Sequence, residues 1–283
     1  DDQRFDTIAA LGNSEIDTPN LDRLVSEGTT FTHAHIMGGT SGAVCMPSRA
    51  MMLSGRTLFH IEEQGQRIPE EHVTFPEQFR QSGYVTTHIG KWHQDRAAHR
   101  RCFSTGAKIF GFKRKHGWYE ACNGHWHIPV HDFDPEGVYD LNGGYNEPAI
   151  EPYELPYETT KARGRHSCEV FTDEAVDFIR AHDGPPYLMY LAHIAPHDPR
   201  QYPERLAERY TVDRVSLPPN FAIMHAFDNG DMFIRDEVLE AHPRRPGPVR
   251  QHIADYYGII THVDEQIGRI LDVLDETGQR DNT

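Results

Sequence analysis

Cysteine is sparse in this chain, four in 283 residues: Cys45, Cys102, Cys122 and Cys168. None falls in a close pair of the kind that holds structural zinc, and so few exclude a dense disulfide framework. A Cys102–Cys122 bridge is open to an exported protein, and spacing alone leaves it undecided. No apolar run approaches the ~20 residues that cross a bilayer, which excludes a membrane-spanning helix. Positive charge is short as well. Lys and Arg number 28 against 43 Asp and Glu, a net charge of −15, which argues against general nucleic-acid binding. A local basic site can still hold an anion. No secretory leader opens the chain. It begins at Asp1-Asp2-Gln3-Arg4 and stops at Asp281-Asn282-Thr283, directly after a long helical pattern. Both ends read as cuts through a larger fold, with a parallel strand expected before Asp1 and another after Thr283.

What is present centres on Val44 to Arg56. A Gly/Ser/Thr-rich turn (Gly38-Gly39-Thr40-Ser41-Gly42) leads to Cys45, and a helix-start signal follows at once. Pro47 suits a first turn, Ala50 to Leu53 carry the helix, and Gly55 stops it. Cys45 is therefore placed at a helix N-terminus, where free N–H groups and the macrodipole favour negative charge. Arg49, one turn on, can take an oxyanion in a two-pronged grip. Cys45 could equally be a small buried hydrophobe or a thiolate nucleophile. The cysteine-phosphatase loop would need Arg where Met51 stands. The serine-hydrolase elbow fails too, since Gly39-Thr40-Ser41-Gly42 is followed by Ala43.

Helical and β patterns alternate along the rest, which predicts an α/β fold. Thr18 starts one helix as N-cap and Thr74 another; Val249 to Thr277 carries the longest apolar stripe, with Asp264 and Glu265 given no chemistry. Tyr84 to Ile89 reads as a strand delivering Gly90-Lys91-Trp92-His93, where a cation and a histidine can bind an anion and move a proton. Phe171 to His182 is helical. Tyr187 to Leu191 is a strand ending in Ala195-Pro196-His197-Asp198-Pro199. Arg96 to Lys115 is a basic island without Asp or Glu. It is either a solvated face or a contact for a polyanion, with Arg114 and Lys115 as the residues to reverse. His125, His127, His131 and Asp132 invite a zinc reading, but their spacing matches no compact zinc motif and a sugar-binding wall fits the aromatics equally well. Residues 95–165 read as an insertion shaping a substrate pocket.

Cys45-x-Pro47-Ser48-Arg49 with Ser54-Gly55-Arg56 resembles the signature of the type I, formylglycine-dependent sulfatases. Asp1-Asp2, Gly90-Lys91-Trp92-His93 and Ala195-Pro196-His197-x-Pro199 resemble further motifs of that family, in order and over essentially the whole chain. The resemblance implies an alkaline-phosphatase-like α/β fold, a mostly parallel central sheet sandwiched between helices and truncated at both ends. Residues 1–283 would be the N-terminal part of a single catalytic domain. It implies a sulfuric ester hydrolase in which Cys45 becomes formylglycine through a formylglycine-generating enzyme. A calcium ion, with magnesium as the alternative, would sit on Asp1, Asp2 and residue 45. Arg49 and Lys91 would neutralise charge, His197 with Lys91 would protonate the leaving alcohol, and His93 would take the proton that lets sulfate depart. Asp281-Asn282 precedes the strand on which sulfatases complete the metal site and is not assigned to it. A sulfated carbohydrate, bound also by Arg114 and Lys115, is the expected substrate, and the periplasm or extracellular space the expected location. A phosphonate or phosphate monoester hydrolase and a non-catalytic glycan-binding relative remain as alternatives. The fragment alone is expected to lack part of the metal site.

Overall fold

The β-rich run after Gly83 becomes the middle strand of a parallel sheet. The structure, a computed structural model, describes residues 3–35, 37, 44–61, 65, 67–110, 125, 133, 165–228, 230–234 and 237–283. Among these residues the strands are β1 (Val85–Lys91), β2 (Thr105–Phe110) and β3 (Tyr187–Ala192), in the order β2-β1-β3. Both pairings are parallel. Val85 to Gly90 face Tyr187 to Ala192 without interruption, while the β1–β2 register slips between Ile89 and Gly90. The helices are α1 (Pro19–Glu27), α2 (Cys45–Ser54), α3 (Phe75–Gln81), α4 (Arg96–Cys102), α5 (Ser167–Ala181) and α6 (Pro246–Glu276).

The two-residue period of the strands divides the core into two layers. Ile89, Phe110, Met189 and Leu191 point to one face, where Val170, Phe171 and Ala175 of α5 cover them. Ile109 and Tyr190 point to the other, against Ala50 and Leu53 of α2 and Ala98 and Cys102 of α4. Residues 86–91 of β1 are all buried, as a strand covered on both faces requires. A helix-on-sheet-on-helix sandwich follows from that pattern.

Local signals set most element ends. Thr74 and Glu77 form a reciprocal capping box at the start of α3. Helix α5 begins at Ser167, four residues before the apolar periodicity starts at Phe171. His166 makes the difference, its Nδ1 accepting from the Cys168 N–H at 3.2 Å. Residues 96–110, the start of the stretch expected as an insertion, include α4, which packs on the sheet, and β2, one of its strands. Two of the island's charges are neutralised there: Arg101 pairs with Glu77 at 3.1 Å and Lys108 with Glu174 at 3.1 Å. Cys102 is a free thiol, buried and within 3.0 Å of the Thr74 hydroxyl; burial pushes it up to about 12. Cys122, the other half of the bridge open to it, lies outside the described residues.

Thr18 occupies the N-cap position of α1, but its hydroxyl accepts from the Ala9 N–H at 2.8 Å and does not cap the helix. The cap comes from α6. Asp264 Oδ1 accepts from the Leu21 N–H at 2.7 Å, and Oδ2 accepts from the N–H and side-chain amide of Asn20 at 3.2 and 2.9 Å. Asp264→Ala would strand three donors in a buried seam, so a loss of about 2 kcal/mol is expected from capping and unsatisfied-donor magnitudes. The urea midpoint would read it, and an unchanged midpoint would deny Asp264 this role.

Candidate active site

Helix α2 presents Cys45 as its first residue, and the left-handed Gly55 (φ 65°) ends it three turns later. Arg49, one turn in, is buried and reaches across to the carboxyl ends of two strands. Its Nη1 donates to the Lys91 carbonyl at 2.8 Å and to the Tyr190 hydroxyl at 2.9 Å. The amide of Gln94 donates to the Met46 carbonyl at 2.5 Å and the Gly65 carbonyl at 3.1 Å. The turn bearing Cys45 is thereby fastened to the segment that follows β1.

That segment carries the next two groups. Lys91 ends β1 and is only 2% exposed. His93 adopts φ 57°, a left-handed conformation uncommon outside glycine and held only where its surroundings enforce it. Burial lowers its pKa well below the ordinary histidine value, and the charges of Lys91, Arg49 and His197 depress it further. His93 is accordingly neutral at physiological pH.

An uncharged aromatic floor lies beneath. His88 stacks on Phe103 and Tyr190, with ring centroids 5.1 and 5.4 Å away, and meets Trp92 edge-on. Its Nδ1 lies 3.0 Å from His99 Nε2. Burial drives His88 well below its normal range and His99 to about 3, so neither adds charge beside Arg49.

His197 follows β3 on an irregular loop. Its Nδ1 donates to the Asp198 carbonyl at 2.8 Å, with the Asp198 carboxylate 3.2 Å away. This engagement of Nδ1 fixes the orientation of the His197 ring. His125, one of the residues that invite a zinc reading, has both ring nitrogens on protein partners, Ser167 Oγ and the His197 carbonyl.

Thus Arg49, Lys91, His93 and His197 come together beside the helix that bears Cys45. Asp1, Asp2, Arg114 and Lys115 lie outside the described residues, as do His127, His131 and Asp132. Among the described residues no group of three or more His, Cys, Asp or Glu side chains is placed to hold a metal ion. Tyr190, Gln94 and His125 support the site in ways that the sequence reading passes over. A tyrosine alternating into the site face of β3 is the available signal for Tyr190; the other two act across gaps of 48 and 72 residues.

The family model described as Sulfatase matches residues 1–283. The chain belongs to the sulfatase family. Among its curated relatives is the multifunctional alkaline phosphatase superfamily protein PehA of Trinickia caryophylli, 28% identical, over all of this chain and 60% of that protein. The N-acetylglucosamine-6-O-sulfatase of Bacteroides thetaiotaomicron is 23% identical over all of this chain and 55% of its own length. The ulvan-active sulfatase of Formosa agariphila is 25% identical over all of this chain and 47% of its own. This sulfatase chain therefore spans about half the length of the curated relatives it matches. Among solved structures, the phosphonate monoester hydrolase of Agrobacterium radiobacter superposes with a TM-score of 0.66 at 20% identity. The match covers all of this chain and 59% of that one. The putative sulfatase yidJ of Bacteroides fragilis gives 0.63 at 21%, over all of this chain and 58% of that one. Both carry the alkaline-phosphatase-like α/β fold that the motifs led us to expect.

Proposed function

We propose that this chain forms the catalytic core of a sulfuric ester hydrolase that removes sulfate from a sulfated carbohydrate. The observation that carries the reading is the Arg49 guanidinium fixed on the Lys91 carbonyl, which sets two cations and the neutral His93 beside the helix N-terminus holding Cys45. Asp1, Asp2 and residue 45 would hold calcium or magnesium, and formylglycine made from Cys45 would supply the oxygen nucleophile.

The chain's own residues account for the remaining requirements. Arg49 and Lys91 offset charge on the sulfate oxygens as it builds in the transition state. The S–O bond to the sugar breaks, and His197, beside the Asp198 carboxylate, delivers a proton to the departing alcohol. His93, neutral through burial and its cationic neighbours, accepts the proton whose removal releases sulfate. Arg114 and Lys115 are assigned to binding of the sulfated chain. The protein's partners would be that glycan and a formylglycine-generating enzyme, and its location periplasmic or extracellular. Relatives named for N-acetylglucosamine-6-O-sulfate and for ulvan support the carbohydrate class.

A second reading has its own support. PehA and the phosphonate monoester hydrolases share the fold, and the same cations would suit a phosphonate or phosphate monoester. Two measurements test and separate these. The tryptic peptide Leu24 to Arg49, from protein matured alongside a formylglycine-generating enzyme, should be lighter by the thiol-to-aldehyde difference. Turnover of a sugar sulfate should exceed that of an aryl phosphonate. An unmodified thiol with no sulfate turnover would overturn the proposal, and preference for the phosphonate would establish the second reading.

A further inference from the structure

The loop that carries His197 makes few backbone hydrogen bonds of its own. His197 N–H reaches the Ile194 carbonyl at 3.1 Å and Gln201 N–H the Pro199 carbonyl at 2.8 Å. Prolines 196, 199 and 203 remove donors along the same stretch. Two buried histidine rings meet its carbonyls. His125 Nε2 lies 3.0 Å from the His197 oxygen, and His166 Nε2 lies 3.0 Å from the Gln201 oxygen. A carbonyl only accepts, so each Nε2 must carry its proton.

The opposite nitrogens are fixed by the start of α5. His166 Nδ1 accepts from the Cys168 N–H at 3.2 Å, and His125 Nδ1 lies 2.9 Å from Ser167 Oγ, whose hydroxyl donates to it. Both rings are therefore neutral, in one tautomer, and locked. Burial agrees, lowering His125 to about 4 and His166 to about 2. The rings stack at 4.9 Å and 20°. The main chain of His125 closes the arrangement: its N–H donates to Gln201 Oε1 at 3.0 Å, and its carbonyl accepts from the Ser167 N–H at 2.8 Å. A residue from the centre of the chain thus ties one loop to one helix terminus through four bonds.

We propose that His125 is a positioning residue for His197, holding the backbone of the leaving-group acid in register with the substrate oxygen, while His166 anchors the far end of the loop. The proposal rests on the sulfatase reading for its catalytic consequence, but the tether itself does not. Removing the His125 donor frees the His197 carbonyl to move, and general-acid transfer is sensitive to displacement on the scale of a hydrogen bond. The Arg49, Lys91 and His93 group is held by β1 and α2 and stays in place.

The test uses the intact, matured protein with His125→Ala and His125→Gln, the latter returning an amide N–H near the Nε2 position. On a sugar sulfate, whose alkoxide must be protonated to leave, His125→Ala should lower kcat about 10²-fold. On 4-nitrophenyl sulfate, whose phenolate leaves unaided, the loss should stay within about threefold. His125→Gln should recover most of the sugar-sulfate rate. In parallel, hydrogen–deuterium exchange of a peptide covering 194–203 should quicken about tenfold in His125→Ala, with residues 253–274 of α6 unchanged.

Unchanged exchange in 194–203 would overturn the tether. Faster exchange with equal losses on both esters, or with no recovery in His125→Gln, would leave a structural role only and overturn the positioning role. If α6 also loses protection in His125→Ala, the leaving-group comparison on His125→Gln decides. If the parent protein turns over neither sulfate, the sulfatase reading fails, and exchange still decides whether His125 holds the loop.

Discussion

Cys45→Ala is expected to abolish turnover of every ester the matured protein accepts, by about 10⁴-fold or more, while leaving the fold intact. The size follows from removal of the proposed nucleophile in a site whose groups would act as a unit. The intact fold follows from where Cys45 sits. It is the first residue of α2, partly exposed, and belongs to none of the buried clusters. Ala50 and Leu53 hold the helix down, and Arg49 fastens it to β1 and Tyr190. Alanine also suits a helix better than cysteine does. Circular dichroism and the thermal midpoint should therefore match the parent. Affinity for a sulfated oligosaccharide should change by no more than about threefold, because the cations remain. Residual turnover within about tenfold of the parent would show that position 45 is not the nucleophile and would return Cys45 to its role as a small helix residue.

How much of this is legible in the residues depends on how far each signal reaches along the chain. The starts and stops of α2 and α3, the strand into Gly90-Lys91, and the loop with His197 are all written within six or seven residues, and they stand where their caps, prolines and glycines place them. Strand β2 is hidden. Its sequence Thr105-Gly106-Ala107-Lys108-Ile109-Phe110 has a weak β pattern, and β1 makes it a strand by pairing with it in parallel. Its lysine looks like part of a solvated basic face until Glu174 of α5 is found against it. The cap of α1 is hidden for a related reason. A Thr-Pro start satisfies the local rule, yet Asp264 supplies the acceptors from 243 residues away. The same separation in sequence conceals Tyr190 under Arg49 and His125 behind His197. Local chemistry announces the groups that would act; their supports become visible only once the sheet brings distant segments together.

Gly90 joins fold and site most tightly, and Gly90→Ala is expected to lower stability by about 4 kcal/mol or more. Two effects combine. The backbone is at φ 95°, outside the range that a side chain tolerates without strain. A Cβ there would also lie 2.2 Å from the Ala192 carbonyl oxygen and 3.0 Å from its carbon, so neither atom is the flexible end of a side chain. Relief would require β1 and β3 to part at Gly90↔Ala192, the last pair of their register and the one beside Lys91. The residue also lies where the β1–β2 register slips. Gly83 isolates the conformational part. It has φ 90°, and a Cβ placed on it would meet nothing within 4 Å, so Gly83→Ala should lose only about 1 kcal/mol. Urea unfolding of the two variants reads the difference directly. Any soluble Gly90→Ala should also turn over substrate at least about 10²-fold more slowly, because Lys91, His93 and the Arg49 acceptor all move with the strand end. Equal midpoints for the two variants would mean that the close approach to Ala192 does not constrain the sheet, and the site would then owe its geometry to the Arg49 and Gln94 bonds alone.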